Sequence, residues 1–212
     1  MKLMAIDGNS ILNRAFYGVR LLSNKDGVFT NAVFGFLNIF LKLLKEHKPD
    51  AVAVAFDVSR TTFRHEQYSE YKANRHGMPE ELRMQLPLIK EILTALGYAV
   101  VGCEGFEGDD ILGTLAAACE KNGGECVVVS GDRDCLQLVT DSVSVELVRT
   151  KDNTLYTPEV FLEEYGFPPE RMVDLKGLMG DSSDNIPGVK GIGEKTAKSL
   201  LQQYGSERGS SW

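Results

Sequence analysis

One stretch of the chain reads Cys126-Val127-Val128-Val129-Ser130-Gly131-Asp132-Arg133-Asp134. Its first half is a short apolar run rich in valine, which is typical of a strand buried on both faces of a parallel sheet. Its second half places two carboxylates just after the strand ends. The same order, an apolar run followed by acids, recurs along the chain and decides both the fold and the site that we predict.

Other apolar runs of similar length indicate further buried strands. They are Leu3–Ile6, Ala51–Phe56, Tyr98–Val101 and, more weakly, Val143–Leu147. Helical spacing of apolar residues lies between them, in Asn31–Lys45, Glu80–Leu96 and Asp110–Lys121. Strands that alternate with helices predict an α/β fold, in which a parallel sheet carries helices on both faces.

The last third of the chain has a different pattern. Helices are predicted at Pro158–Tyr165, Arg171–Met179 and Glu194–Tyr204, and no strong strand signal follows Leu147. We therefore predict an α/β core at residues 1–157 and a small helical module at 158–204. The polar tail, 205–212, is expected to be a linker, an expression scar or a truncated end.

Composition narrows the class of protein. The chain has 212 residues, 43% hydrophobic and 25% charged, as in soluble globular proteins. No apolar run reaches the ~20 residues that span a bilayer, and Asp7 comes too early for a signal peptide. The four cysteines form no C-x-x-C pair, so we expect reduced thiols and a cytoplasmic protein without a membrane partner.

Acidic residues follow each of the four stronger strand runs. In an open parallel sheet the carboxyl ends of the strands line one edge, where ligands bind. A further acidic pair with i,i+3 spacing lies in the helical third. The candidate metal ligands are Asp7, Asp57, Glu107, Asp109, Asp110, Asp132, Asp134, Asp181 and Asp184. So many carboxylates together need positive charge among them, and Mg²⁺ or Mn²⁺ accepts oxygen ligands, which predicts a site for two ions.

Each acid also has a simpler interpretation. A single Asp after a strand is often a helix cap or a turn former, and Asp109 could cap the helix that follows it. The net charge of −7 argues against general nucleic-acid binding. Without the nine acids, however, 21 acidic residues remain against 23 basic ones, so the rest of the chain is slightly basic.

Residues 59–77 fit neither a strand nor an aliphatic helix. The segment interleaves Phe63, Tyr68 and Tyr71 with basic side chains, among them Arg64, Lys72 and Arg75. It is either a solvated loop or helix, or a mobile element that grips a single nucleic-acid strand.

A glycine-rich turn begins the last predicted helix. It reads Ile186-Pro187-Gly188-Val189-Lys190-Gly191-Ile192-Gly193-Glu194-Lys195. Glycines let the backbone approach a phosphate, and a helix N-terminus favours an anion there. The turn is either a plain connection between helices or a grip on duplex backbone that does not read sequence.

Taken together, these motifs resemble the 5′–3′ exonuclease domains of bacterial DNA polymerase I, within the flap endonuclease family with its PIN-like core. The resemblance runs from about residue 3 to residue 205. The matching motifs are Ile6-Asp7-Gly8, Arg14-Ala15-Phe16-Tyr17, Thr30-Asn31-Ala32-Val33, Ala55-Phe56-Asp57, Phe63-Arg64-His65-Glu66, Tyr71-Lys72-Ala73-Asn74-Arg75, Glu107-x-Asp109-Asp110, Ser130-Gly131-Asp132-x-Asp134, Gly180-Asp181-x-x-Asp184-Asn185-Ile186-Pro187-Gly188 and Gly191-Ile192-Gly193.

The resemblance implies a metal-dependent nuclease that cuts 5′ flaps and degrades from 5′ ends, including primer junctions of RNA and DNA. It implies that one ion lies among Asp7, Asp57, Glu107 and Asp109. The second would lie among Asp132, Asp134 and Asp184, with Asp109 bridging and with Asp110 and Asp181 nearby.

The resemblance also implies how DNA is held. Residues 59–77 would form part of an arch, where Lys72 and Arg75 contact the scissile phosphate, Tyr71 stacks on a base and Arg64 contacts DNA. The turn with Gly188, Lys190, Gly191, Gly193 and Lys195 matches a helix-three-turn-helix motif that binds duplex DNA, often with K⁺.

Two alternatives remain. A related PIN-like ribonuclease would leave the glycine-rich turn without a role. A DNA-junction binding module that does not cut is the other, because the family's later helices, and the covalently linked polymerase, are missing after residue 204. We expect a monomer. Two residues depart from the family pattern: Gly108 stands where alanine is usual, and Arg133 where lysine is usual.

Overall fold

A computed structural model of the chain describes residues 1–59, 61–75, 77–149 and 152–204. Within these residues, six strands form one sheet in the order β3-β2-β1-β4-β5-β6. The strands are β1 (Lys2–Asp7), β2 (Ala51–Ala55), β3 (Ala99–Val101), β4 (Glu125–Ser130), β5 (Val143–Leu147) and β6 (Thr154–Tyr156). The first five are parallel to their neighbours, and only β6 is antiparallel, to β5.

Helices cover both faces of this sheet. They are α1 (Gly8–Gly18), α2 (Asn31–His47), α3 (Phe63–Gln67), α4 (Glu80–Arg83), α5 (Gln85–Ala95), α6 (Gly108–Lys121), α7 (Pro158–Tyr165), α8 (Met172–Met179) and α9 (Glu194–Tyr204), with short 3-10 helices at Arg133–Leu138 and Pro169–Arg171. This arrangement confirms the predicted α/β fold with a C-terminal helical module.

Alternating strand residues feed two separate cores, because successive side chains of a strand point to opposite faces. Met4, Ile6 and Val127 join the core under α1, α2 and α5. Ala5 and Val128 join the core under α6 on the other face. The second core continues through Phe161 and Tyr165 of α7, Leu175 of α8 and Leu201 of α9, so the helical module is packed on the sheet through the same apolar cluster.

Three expectations from the sequence were incomplete. The helix α1 was not predicted, and neither was the edge strand β6 after Leu147. The single helix expected at Glu80–Leu96 is interrupted at Met84. Pro87 explains the break, because proline has no N–H to donate to the carbonyl of Arg83 four residues earlier.

No helix among the described residues is long and apolar enough to cross a membrane. The polar tail at 205–212 and Arg60 of the segment 59–77 lie outside the described residues.

Candidate metal and nucleic-acid site

The carboxyl edge of the sheet carries the first acid at the end of its central strand. Asp7 ends β1 and caps α1, accepting the N–H of Ser10 at 2.9 Å. The hydroxyl of Ser130, at the end of β4, donates to the other oxygen of Asp7 at 2.8 Å. Burial raises the pKa of Asp7 to about 6, and Asp57 and Asp132 add repulsion. Asp7 is therefore a carboxylate whose charge is disfavoured unless a cation lies near it.

Asp57 and Glu107 approach this edge from the neighbouring strands β2 and β3. Asp57 accepts the N–H of Gly108, the first residue of α6, at 2.7 Å. Glu107, nearly buried, is the N-cap of α6. Asp109 follows on the first turn of α6, where its side chain is exposed. The N-terminus of α6 thus carries three acids, Glu107, Asp109 and Asp110, at the predicted edge of the sheet.

Asp110 is held by the protein itself. Each of its two oxygens accepts a hydrogen bond from one terminal nitrogen of Arg64, at 2.7 Å. One of these oxygens also accepts the N–H of Glu107 at 3.0 Å. The Arg64 hydrogen bond lowers the pKa of Asp110. Arg64 and Asp110 therefore fasten α3 to α6 in this structure, so the guanidinium expected on DNA and the carboxylate expected near a metal neutralise each other.

Tyr71 and Lys72 lie over Glu107. The Lys72 ammonium is 2.7 Å from Glu107 Oε2. The Tyr71 hydroxyl oxygen lies 2.9 Å from the same oxygen and 3.1 Å from Asp184 Oδ2, so its single proton is shared between two carboxylate acceptors. The guanidinium of Arg75 pairs with the other oxygen of Asp184. The two cations expected at the scissile phosphate are thus beside predicted metal ligands.

The stacking role expected for Tyr71 does not fit this conformation. Its side chain is buried, with 5% of the residue exposed, and its ring packs edge-on against His65 at 5.1 Å. Burial, and then the hydrogen bond to Glu107, raises the pKa of Tyr71, so its hydroxyl remains a donor. Tyr71 joins Glu107 of the core to Asp184 of the helical module, and its stacking on a base stays a prediction.

Backbone contacts lock the same two segments together, and we call residues 70–75 with 182–185 the clasp. Lys72 N–H donates to the Asp184 carbonyl at 2.9 Å, and Asn74 Nδ2 donates to the Ser182 carbonyl at 2.8 Å. Asn185 Nδ2 donates to the Glu70 carbonyl at 2.7 Å. Lys72 and Asn185 both have left-handed backbone, with φ of 55° and 59°. The clasp therefore brings part of the basic segment 59–77 against the loop that carries Asp181 and Asp184.

Asp132 and Asp134 follow β4, which pairs with β1 on the side away from β2. The N–H of Asp132 donates to Ser130 Oγ at 3.0 Å, so one buried hydroxyl joins Asp7 to Asp132. Lys176 of α8 lies 2.6 Å from Asp134 Oδ1 and 2.7 Å from Asp181 Oδ2. Asp181 in turn accepts the N–H of Asp184 at 3.3 Å. A continuous series of contacts therefore links the acids that follow the strands to the acids of the helical module.

The donor set has the chemistry of a divalent-cation site, because carboxylate oxygens are the ligands that Mg²⁺ and Mn²⁺ prefer. As the side chains stand, no three His, Cys, Asp or Glu residues in the described ranges form a group that could hold a metal ion. Lysine and arginine side chains pair with the acids instead, at Glu107, Asp110, Asp134, Asp181 and Asp184. The residues fit a metal by type, and the protein's own cations pair with five of the nine candidate acids.

The glycine-rich turn lies between α8 and α9. Gly188 packs against the backbone of Gly180, where a side chain would collide, and the N–H of Val189 donates to the Leu178 carbonyl at 2.8 Å. Close packing thus explains why residue 188 is a glycine, and its contact with a phosphate stays a prediction. Gly191 has a φ of 84° and faces open space, and Lys190 and Lys195 are exposed, so this end of the turn is free to meet a ligand.

Sequence reasoning missed three residues that organise this site. Ser130 gave a signal, since it stands between a strand and two acids. Asn185 stands beside Asp184 in one of the matching motifs, but Lys176 gave no signal, because its partners depend on how the helical module packs against the core.

Family models match nearly the whole chain. Residues 2–166 match the 5′–3′ exonuclease N-terminal resolvase-like domain, and 167–209 match the 5′–3′ exonuclease C-terminal SAM fold. A chain that matches these models over nearly its whole length belongs to the class of nucleases. The chain is a member of the 5′–3′ exonuclease family.

Curated relatives are DNA polymerases. The chain is 52% identical over 207 residues to DNA polymerase I of Bacillus subtilis (strain 168), and 47% identical over 210 residues to that of Mycobacterium tuberculosis (strain H37Rv). The alignments cover 97% of this chain but only 24% and 23% of those proteins, so it spans about a quarter of their length.

Solved structures share the fold. The T5 D15 protein co-crystallised with metal ions is 24% identical, with a TM-score of 0.75, covering 97% of this chain and 76% of that one. Flap endonuclease-1 from Methanococcus jannaschii is 22% identical, with a TM-score of 0.60, covering 95% of this chain and 71% of that one. At these identities the likeness is one of fold.

Proposed function

We propose that this chain uses two divalent ions, Mg²⁺ or Mn²⁺, to hydrolyse DNA phosphodiesters at 5′ ends and 5′ flaps. It would also cut at primer junctions of RNA and DNA. The observation that carries the proposal is that acids from four strand ends and from the 181–184 loop are joined in one series of contacts, through Gly108, Tyr71, Ser130 and Lys176. Family membership supports the reaction class. A bacteriophage T5 flap endonuclease of this fold was solved with DNA and metal ions.

The chain's own residues divide into three roles. Asp7, Asp57, Glu107 and Asp109 would hold one ion, and Asp132, Asp134 and Asp184 the other, with Asp110 and Asp181 nearby. When bound, the ions supply charge stabilisation to the phosphate and lower the pKa of a water. Lys72 and Arg75 would stabilise the negative charge that develops on the phosphate, after exchanging their present partners Glu107 and Asp184.

The duplex side of the substrate would lie at the glycine-rich turn. Exposed Lys190 and Lys195 supply charge beside Gly191 and the open N-terminus of α9, which suits backbone contacts without sequence readout. A K⁺ ion at this turn is part of the same proposal. We further propose a monomer in the bacterial cytoplasm that is covalently joined to a polymerase, as the length of its relatives suggests.

Cleavage of an end-labelled 5′-flap DNA, with product sizes resolved, tests the proposal. We expect cutting near the flap junction with Mg²⁺ or Mn²⁺ and none in EDTA, and a loss of at least about 100-fold in Asp132→Asn and Asp57→Asn while DNA binding persists. The matched control is Asp141→Asn, an exposed acid before β5 at the opposite edge of the sheet. Equal cutting in EDTA would refute the metal role. Binding without cutting at any metal concentration would establish the non-cleaving junction binder instead.

A further inference from the structure

Lys176 is the one residue of α8 whose side chain reaches the acids that follow β4, among the residues described. Its ammonium lies 2.6 Å from Asp134 and 2.7 Å from Asp181, and 29% of the Lys176 side chain is exposed. Burial alone would lower the pKa of Lys176, but the hydrogen bonds to Asp134 and Asp181 outweigh it and raise that pKa to about 12. The ammonium is therefore charged at every pH at which the protein would work.

The surroundings of Lys176 show what its charge offsets. An open cleft of about 460 Å³ is lined by Ser10, Gly131, Asp132, Arg133, Asp134 and Lys176. Burial raises the pKa of Asp134, and Asp132 and Asp181 repel it further. By contrast, the hydrogen bonds from Lys176 and Ser183 outweigh burial and lower the pKa of Asp181 to about 2. The Lys176 ammonium thus lies between two carboxylates and within 2.7 Å of an oxygen of each.

We propose that Lys176 is a positioning residue that acts as an exchangeable counter-ion: it holds Asp134 and Asp181 together in the metal-free protein and gives up those carboxylates when a divalent cation binds them. This inference rests on the proposed metal-dependent function. An ammonium and a divalent cation repel each other, so both cannot use the same carboxylate oxygens at full strength. Lys176 therefore weakens binding of the ion on its side of the site.

The proposal makes two predictions of opposite sign for Lys176→Met. The metal-free variant should be less stable, because two acids lose their counter-charge. The same variant should bind a divalent cation more tightly, because no ammonium competes. A merely structural lysine would give the first result without the second, since a loosened site binds metal less well.

The test uses Mn²⁺ as the probe on the 212-residue chain. Thermal unfolding in EDTA measures stability, and the loss of the free Mn²⁺ electron paramagnetic resonance signal measures affinity. In Lys176→Met we expect a Tm about 5 °C lower in EDTA and a dissociation constant for the weaker Mn²⁺ about tenfold smaller. Lys176→Arg, which keeps the charge, should stay within about twofold of wild type in that constant.

Two further variants complete the design. Lys42→Met removes the ammonium of an exposed i,i+4 pair with Glu46 and controls for loss of a lysine elsewhere. Lys176→Gln keeps a hydrogen-bond donor without charge, so it replaces the methionine variant if that protein does not fold without metal. Unchanged or weaker Mn²⁺ binding in the neutral variants would overturn the counter-ion role alone. No Mn²⁺ binding by wild type would overturn the proposed metal-dependent function and this inference with it.

Discussion

Single side chains decide whether the acids at the sheet edge share one site. Ser130 is completely buried, yet its hydroxyl donates to Asp7 and accepts the N–H of Asp132. A buried carboxylate that loses such a donor keeps the whole cost of its desolvation. One hydroxyl therefore links an acid on β1 to an acid after β4.

Ser130→Ala tests this link directly. We expect the free energy of unfolding to fall by about 1–3 kcal/mol, because Asp7 would be left with a single donor, and flap cleavage to fall as Asp7 and Asp132 separate. Chemical denaturation gives the stability and the flap assay gives the rate. Ser144→Ala on the adjacent strand β5 is the matched control and should change neither. Full stability and rate in Ser130→Ala would show that the hydroxyl does not organise the site.

Asp7 also gives the metal-free protein a pH dependence with a defined sign. Its pKa rises from 3.8 to about 6 on folding, so the folded state holds its proton more tightly than the unfolded state does. The stability from this proton is fully present below pH 3.8 and is lost as the pH rises through 6. Removing the charge should therefore help most at neutral pH.

Asp7→Asn should gain on the order of 2–3 kcal/mol of unfolding free energy relative to wild type between about pH 4 and pH 7.5 in EDTA. Chemical denaturation across that range measures the difference. Glu159→Gln is the control, since the Thr157 hydroxyl lowers the pKa of this exposed acid. A difference that stays flat with pH would contradict the desolvation of Asp7.

At the scale of elements, most strands and helices could be predicted from the sequence. The contacts between these elements could not. Four of the five parallel strands could be predicted because each lies in an apolar run, and β5 gave a weaker signal because Ser144 and Glu146 interrupt its apolar residues. The edge strand β6 was missed because Thr154-Leu155-Tyr156 is three residues long and leaves Leu155 exposed. The helix α1 had a readable signal that was overlooked, namely Asp7 as N-cap followed by Ile11, Leu12 and Ala15 at helical spacing.

The site follows the same division. The meeting of acids at the carboxyl edge follows from the parallel sheet alone. Which cation pairs with which acid does not. Arg75 pairs with Asp184, 109 positions away, and the backbone N–H of Lys72 donates to the carbonyl of the same residue, through a clasp that depends on packing of the helical module. The assignment of the nine acids to two ions remains a prediction.

Asn74→Ala tests whether the clasp is a unit. Loss of its bond to the Ser182 carbonyl should raise hydrogen–deuterium exchange about fivefold in both 63–75 and 181–186, with little change in Tm, because the clasp lies outside the two cores. Asn122→Ala, which removes a similar bond to the Ala118 carbonyl at the end of α6, is the control and should leave both segments unchanged. Faster exchange in one segment only would show that the two move independently.

Across the whole molecule, charge is separated between an acidic edge and a basic turn. The net charge is −7, yet Lys190 and Lys195 stand exposed beside the glycine-rich turn. Duplex binding at this turn would release counter-ions, so it should weaken as salt increases. A chain with this balance would bind DNA at one place rather than over its surface.

Lys190→Ala should weaken duplex binding and reduce the slope of log K against log salt by about 0.9, as expected for one lost phosphate contact. Fluorescence anisotropy with a labelled duplex at several salt concentrations measures the slope, and Lys42→Ala on the exposed face of α2 is the control. An unchanged slope in Lys190→Ala would remove the turn from the DNA interface.

The central claim is that the acids from Asp7 to Asp184 form one divalent-ion site. The most direct measurement is an anomalous difference map, at the manganese edge, from crystals of this chain grown with Mn²⁺. We predict two peaks within ligand distance of the strand-end carboxylates, with Lys176 displaced from Asp134. Peaks away from these acids, or none at saturating Mn²⁺, would contradict the account.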